Sequence, residues 1–318
     1  MPDELVKQSV VATQAFPPAG YTRFSLPAML TGLPVSAAEG RGDSELRLKY
    51  SGDSEWRDFR ALDNIINETL RAGKKVAVLG WYHPYERILP VSPNLTARSW
   101  GFPTFQGFRR SNLVSAVAAQ YAFLALPRNG RMITLDAYAA MHAAALAAVA
   151  DPSMDFVFLH YGIPHTPGIY DPTEHRLSAV LRPNTAGYYG NLALVDQTLG
   201  ELSAAVGKAG LRASTAFILT SDHWWRSSPW LQEEPDYRVP LVIRARNDGP
   251  AARVAAPLCT VNLPGLVSKM IEGAVFDTAG VVRWLEQKHG PVPVGYIKGV
   301  AQWPKPSTVP AQSQTPRP

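Results

Sequence analysis

Three apolar runs of this chain stop at residues able to hold a metal ion or move a proton. "TAFILTSDH" ends in Asp222 and His223, "DFVFLHY" delivers His160 with His165 soon after in "GIPHTPG", and "KVAVLGWYH" runs out at His83. An adjacent carboxylate and imidazole offer one hard oxygen and one nitrogen, a mixture suited to zinc or manganese. Two ligands are too few for a metal centre. On their own, Asp222 equally fits a cap on the following turn and His223 a surface position.

The elements that must position these groups alternate. "VVATQAF" (10–16) reads as a strand, leading through Pro and Gly into a short helix within "YTRFSLPAMLTG" (21–32). Helical spacing runs over 56–73 and closes on Gly73, before the buried strand 75–81. Residues 84–110, rich in Pro, Gly and aromatics, read as a long excursion, and helices follow near 111–126 and 133–150. Strand 155–161, a helix over 185–209, strands 215–221 and 239–245, and helices 261–272 and 278–289 complete the pattern. Such alternation predicts an α/β fold, with a mostly parallel sheet covered on both faces. In open parallel sheets ligands bind beyond the carboxyl ends of the strands, where these histidines and Asp222 lie.

The stretch "YTRFSLPAMLTG" resembles the nucleophile motif of the alkaline phosphatase superfamily, which includes sulfatases, phosphodiesterases and phosphoethanolamine transferases. Counting back from Gly32 at that motif's spacing lands on Thr22. "FVFLHYGIPHTPGIYD" is similar to the family's strand and Pro-His-x-Pro loop, "YYGNLALVDQTLGELSAAVGKAGL" to its long helix, and "TAFILTSDHWW" to the strand delivering paired metal ligands. "RVPLVIRA" resembles the strand that follows, and the motifs are collinear over about residues 1–245.

The resemblance implies a three-layer αβα sandwich of alkaline phosphatase type. It implies one divalent metal, zinc or manganese rather than calcium or magnesium, held by Asp222, His223 and the Thr22 oxygen. Thr22 would be the nucleophile, its alternative being the N-terminal cap of its helix. His165 would contact the transferring group or its leaving oxygen. His160 is either a second polar contact or a satisfied core histidine, and Asp196 an orienting acid on the long helix. His83 matches a substrate-contacting histidine, with a stacked or capping role as the alternative.

Departures from the family matter as much. Threonine cannot be converted to the formylglycine of sulfatases, and the single cysteine, Cys259, lies far from the motif. Trp81 stands where sulfatases carry a lysine that clamps sulfate. The family's first strand and its acidic ligand are not found, and "MPDELVKQS" reads as the helix after them, with Asp3 and Glu4 poor substitutes. The domain is therefore expected over 1–290, N-terminally incomplete, with 291–318 a Pro-rich, largely disordered tail.

Composition sets the remaining bounds. The 318 residues carry a net charge of +5 with scattered Lys and Arg, so nucleic-acid binding is not indicated and an anionic ester substrate suits the balance. One cysteine excludes an internal disulfide and a multi-cysteine metal site. No uninterrupted apolar run reaches the length of a membrane span, and no secretory signal is expected at this start. The compartment is left unassigned, although the family suggests a periplasmic, extracellular or membrane-associated setting.

The expected activity is metal-dependent hydrolysis or transfer of phosphate esters through Thr22, or of sulfate esters without formylglycine. A small molecule or a lipid or glycan head group would be the substrate. The alternative is a non-catalytic relative that binds anionic ligands or a partner.

Overall fold

The computed structural model describes residues 7–41, 44–100, 127–180, 182–227, 234–247, 249–287 and 290–304. Its strands begin with β1 (Val10–Ala12), β2 (Ala15–Phe16), β3 (Val35–Arg41), β4 (Glu45–Tyr50), β5 (Arg57–Asp58), β6 (Val76–Gly80), β7 (Leu95–Ser99) and β8 (Phe156–His160). They continue as β9 (Tyr170–Asp171), β10 (Arg176–Leu177), β11 (Phe217–Thr220), β12 (Leu241–Arg244), β13 (Ala252–Val254), β14 (Leu258–Cys259), β15 (Gly295–Ile297) and β16 (Val300–Gln302). The α-helices are α1 (Thr22–Thr31), α2 (Ile65–Arg71), α3 (Tyr85–Ile88), α4 (Pro127–Val149), α5 (Asn184–Lys208), α6 (Leu263–Ile271) and α7 (Thr278–Glu286).

The fold is α/β, as expected. Parallel strands are ordered β7-β6-β8, and a mixed sheet is ordered β11-β12-β1-β13, in which β12 runs antiparallel to both of its neighbours. Strand β6 is buried along its whole length and shows the layering. Val76 and Val78 pack with Phe24, Ala28, Ile65 and Ile66 of α1 and α2, while Leu79 packs with Met141, Ala145 and Leu202 of α4 and α5. Alternate residues therefore enter opposite helical layers, as a strand's two-residue period requires. On the mixed sheet, Leu241 and Ile243 pack with Leu266 of α6 and Val281 and Trp284 of α7.

Local chemistry sets the helix ends. Helix α1 stops at Gly32, whose φ of 73° suits glycine and lets its N–H reach the Ala28 carbonyl at 2.9 Å. Asn64 caps α2 by accepting from the N–H groups of Ile66 and Asn67. The helix expected over 56–73 therefore begins only at Ile65. Ahead of it, Arg57 and Asp58 pair with β4 and Phe59–Ala61 form a 3-10 turn, because Asn64 is the stronger start signal.

Other boundaries also shift. The strand expected over 10–16 is broken into β1 and β2, which join different sheets. The ordered fold passes residue 290: β15 and β16 form a hairpin, Tyr296 Oη donates to the Pro17 carbonyl at 2.6 Å, and Gly20 N–H donates to the Gly299 carbonyl at 2.8 Å. Apolar and aromatic residues in "VGYIKGVAQW" supply that docking, whereas the sequence reading weighed only the surrounding prolines. The helix expected near 111–126, the far part of the excursion, and Asp3 and Glu4 lie outside the described residues.

Within α4, Gly130–Val149 is by length and composition apolar enough to cross a membrane. Its most apolar stretch, 138–150, is short and carries His142, and reads as a buried helix rather than a span. In the fold Met141 and Ala145 face Leu79, Trp100 and Leu202, and His142 bonds Glu201 at 2.6 Å and the Tyr161 hydroxyl at 2.8 Å.

Candidate active site at the strand ends

Helix α1 brings Thr22 to the carboxyl ends of the strands. Thr22 is the first helical residue and is buried, while extended Tyr21 occupies the N-cap without a side-chain cap bond. The alternative of Thr22 as the cap itself is therefore not how this helix starts. A contact across the site holds the helix in place: the Ser25 hydroxyl, fully buried, donates to the main-chain carbonyl of Asp222, and the buried His83 ring lies close to the Thr22 backbone.

Asp222 and His223 follow β11 directly. Their side chains are largely buried, with His223 Nε2 3.8 Å from Asp222 Oδ2 and His223 Nδ1 2.7 Å from the Trp224 carbonyl oxygen. Asp222 Oδ2 is buried without a hydrogen-bond partner, and so is His83 Nε2. An unpartnered buried carboxylate oxygen is costly and invites a cation. These donors have the chemistry of divalent-metal ligands, although no group of three His, Cys, Asp or Glu converges among the described residues.

A row of aligned residues places His160. Gly80, Ser99 and His160 are register partners across β7, β6 and β8. A Cβ on Gly80 would lie 2.3 Å from Tyr85 Cε2, so only glycine lets the Tyr85 ring cross the strand. The Tyr85 hydroxyl then meets His160 Nδ1 at 3.0 Å, and the Tyr85 N–H donates to Ser99 Oγ at 2.7 Å. Burial pushes the His160 and His83 imidazoles each down to about 4, partly offset by the Asp222 carboxylate. Both are thus neutral at ordinary pH, a form able to accept a proton or ligate a metal. The same burial raises the Tyr85 phenol far above its usual range, keeping it a donor.

His165 stands apart from this buried group. It is exposed, its Nδ1 bonded to the Thr166 carbonyl at 2.6 Å, with the Trp81 ring 5.4 Å away. Trp81, in the position where a cation was expected from the resemblance, also lies 6.1 Å from His160 and rests on Gly162, where a Cβ would fall 3.1 Å from the indole. Positive charge comes instead from the α1 side: the Arg226 guanidinium lies 4.7 Å and that of Arg23 5.9 Å from the centre of the Tyr21 ring.

The residue that holds the His165 loop is Asn191 of α5. Fully buried, it accepts from Ile169 N–H at 2.9 Å and donates to the carbonyls of His165 and Pro167 at 2.8 and 3.1 Å. Asp196, singled out on the same helix, is half-buried. Asn191 carried no sequence signal beyond being the one amide on a helix face otherwise lined by Gly187, Gly190 and Leu194. Ser25 and Tyr85 were also missed, each being a common helix residue whose partner is distant in sequence. Cys259 is buried in β14, its thiol pushed up to about 12, and takes no part in this site.

A family model described as Sulfatase matches residues 2–267. Solved structures share the fold at low identity. Ps i-CgsB is 14% identical with a TM-score of 0.57, covering 91% of this chain and 72% of that one. Phosphonate monoester hydrolase of Agrobacterium radiobacter is 15% identical with a TM-score of 0.53, covering 85% and 68%. The lipoteichoic acid synthase LtaP from Listeria monocytogenes is 12% identical with a TM-score of 0.51, covering 85% and 64%. No curated protein matches the sequence.

Proposed function

Since the chain belongs to the sulfatase family, we propose that it is a metal-dependent hydrolase or transferase of anionic esters, with Thr22 as nucleophile. The observation that carries this reading is the placement of Thr22. It is a buried hydroxyl at the first position of a helix, on a helix fastened by Ser25 to the residue that offers a buried carboxylate oxygen with no hydrogen bond. Asp222, His223 and the Thr22 oxygen would hold one divalent cation, zinc or manganese, which would lower the pKa of the hydroxyl and offset charge on the ester oxygens.

The chain's own residues account for the rest. The free N–H groups at the start of α1 face the anion, and Arg23 and Arg226 make the approach electropositive. Thr22 Oγ1 gives up its proton to solvent and attacks phosphorus while the bond to the leaving oxygen breaks, giving a phosphothreonine and an alkoxide or phenoxide. His165, exposed at the mouth, protonates that leaving oxygen. Water or an acceptor hydroxyl then attacks phosphorus and releases Thr22. Neutral His83 and His160 orient the reacting group by hydrogen bonding, and the Trp81 indole bounds the site with an apolar wall.

Phosphate esters are favoured over sulfate esters because Thr22 cannot yield formylglycine and Trp81 supplies no cation. Turnover of 4-nitrophenyl phosphate and 4-nitrophenyl sulfate, with zinc or manganese, separates the two. Phosphate turnover abolished by Thr22→Ala supports the proposal. Unchanged turnover in that variant refutes the nucleophile, and faster sulfate turnover refutes the substrate preference.

A further inference from the structure

Three segments far apart in sequence interlock beside the site. The chain entering α1 carries Pro17, Gly20 and Tyr21, the loop after β11 carries Trp224, and the β15–β16 hairpin carries Tyr296 and Gly299. Tyr21 immediately precedes Thr22, and Trp224 immediately follows His223. Residues 222–227 form neither helix nor strand, and 17–21 hold only an isolated bridge from Ala19 to Val300 of the hairpin. Regular secondary structure of their own therefore does not fix either segment.

The hairpin grips the segment before Thr22. The Tyr296 hydroxyl donates to the Pro17 carbonyl at 2.6 Å, and the Gly20 N–H donates to the Gly299 carbonyl at 2.8 Å. Burial raises the Tyr296 phenol above its ordinary range, so the hydroxyl keeps the proton it donates. Gly299 has a φ of 77°, and a Cβ there would overlap the Tyr21 ring, so glycine is required on both counts. Tyr21 is the N-cap residue of α1 and rests directly on this turn.

The same hairpin grips the loop that presents Asp222 and His223. The centre of the Tyr296 ring lies 4.5 Å from that of Trp224, and Tyr237 closes a three-ring cluster at 4.8 Å from Trp224 and 5.0 Å from Tyr296. Rings at these separations attract one another beyond the area they bury. Trp224 also meets Gly20, where a Cβ would lie 2.5 Å from Trp224 Cη2. Tyr296 thus holds one segment with its hydroxyl and the other with its ring.

We propose that the β15–β16 hairpin is a clamp that sets the spacing between Thr22 and the Asp222–His223 pair, with Tyr296 and Gly299 as its positioning residues. A cation shared by these groups requires that spacing to hold within about 0.5 Å. The consequence for metal and turnover rests on the site reading given above, whereas the grip on the two segments does not.

The test compares Tyr296→Ala, Tyr296→Phe and Gly299→Ala with the parent, each as the full chain. In amide hydrogen exchange without metal, Tyr296→Ala should speed exchange of Gly20, Phe24 and Ser25 by about tenfold or more, with unchanged protection of β6 reporting a folded chain. Its zinc affinity should fall about tenfold, and kcat for 4-nitrophenyl phosphate should fall while KM stays within about twofold, because Tyr296 acts through other residues. Tyr296→Phe keeps the ring on Trp224 and should retain zinc affinity within about threefold of the parent. If Tyr296→Ala loses protection at β6 as well, Gly299→Ala, which disturbs the Tyr21 contact, is judged by the same criteria. Parent-like exchange over residues 20–25, or parent-like zinc affinity, in the folded variant overturns the clamp. A phenylalanine variant as impaired as the alanine one overturns the role of the ring. A parent that binds no zinc refutes the proposed metal site, and the exchange result alone then decides the clamp.

Discussion

The Ser25 hydroxyl donates to the main-chain carbonyl of Asp222, joining residues 197 positions apart in sequence. Through that bond the helix that begins at Thr22 and the strand end that presents Asp222 and His223 become one unit. The Ser25 hydroxyl is fully buried and the Asp222 end partly so. Ser25→Ala leaves a carbonyl without its donor and should cost about 1–3 kcal/mol of stability. Metal affinity should fall with it, because the helix is no longer fixed to the Asp222 backbone. Urea unfolding with and without zinc measures both, and a variant as stable and as tightly zinc-binding as the parent would show the bond to be incidental.

Asp222 gives a prediction with opposite signs in two conditions. Without metal its Oδ2 is a buried acceptor with no partner, so Asp222→Ala should hold or raise the melting temperature of the metal-free protein. With zinc present the same change should lower it, and affinity should drop about 100-fold or more. A metal-free variant that melts well below the parent would mean that Asp222 is structural.

The buried histidines predict a pH dependence. His83 and His160 are held near 4 in the fold, below the ordinary value of 6.5. Between those values the unfolded chain binds more protons than the folded one, so stability rises with pH. It is complete above about pH 6.5 and is lost as pH falls toward 4, by up to about 3 kcal/mol for each group. His160→Gln should flatten the profile of the metal-free protein between those limits. A slope unaltered by the substitution would assign it to other groups.

Gly80 and Tyr85 predict a steric effect at the site. Gly80→Ala sets a methyl group 2.3 Å from the Tyr85 ring in a fully buried position, so the ring must move and release His160. Such overpacking costs about 1–3 kcal/mol. Tyr85→Phe, which keeps the ring and removes only the hydroxyl, should cost less and leave Gly80 without strain. Equal effects of the two changes would contradict this account of the glycine.

Asn191 and His165 should separate position from chemistry. His165→Ala removes an exposed side chain and should lower turnover while leaving stability within about 0.5 kcal/mol. Asn191→Ala removes three buried hydrogen bonds to the loop, so it should lower both stability and turnover. Thermal melting beside kcat and KM decides the matter, and a stable, fully active Asn191 variant would remove its positioning role.

Much of this was legible in the residues. The apolar runs at 75–81, 155–161, 215–221 and 239–245 all proved to be strands, because continuous runs of β-branched, aromatic and other apolar residues between turn signals suit sheet interiors, parallel for β6 and antiparallel for β12. His83, His160, Asp222 and His223 all lie at strand ends as their spacing implied, and His83 and Asp222 each interact electrostatically with His160. What could not be read was whatever depends on distant partners. Asp58 and Asn64 broke one expected helix into strand, turn and helix, and the Ser25 bond to Asp222 has no local signature. The hairpin over residues 295–302 was hidden because it lies between the proline-rich flanks 291–293 and 304–318, while its docking on Pro17 and Gly20 is tertiary. His165, expected to contact the transferring group or its leaving oxygen, is exposed, and its loop is held by Asn191 of α5, a contact with no local signature.

The central claim is that Thr22 takes the phosphoryl group. The direct measurement is mass spectrometry of the zinc- or manganese-loaded chain, acid-quenched during turnover of 4-nitrophenyl phosphate and digested. The account predicts a phosphorylated peptide with the modification on Thr22, absent from Thr22→Ala and from the unloaded chain. Turnover with Thr22 unmodified, or no turnover by a folded, metal-loaded chain, contradicts it.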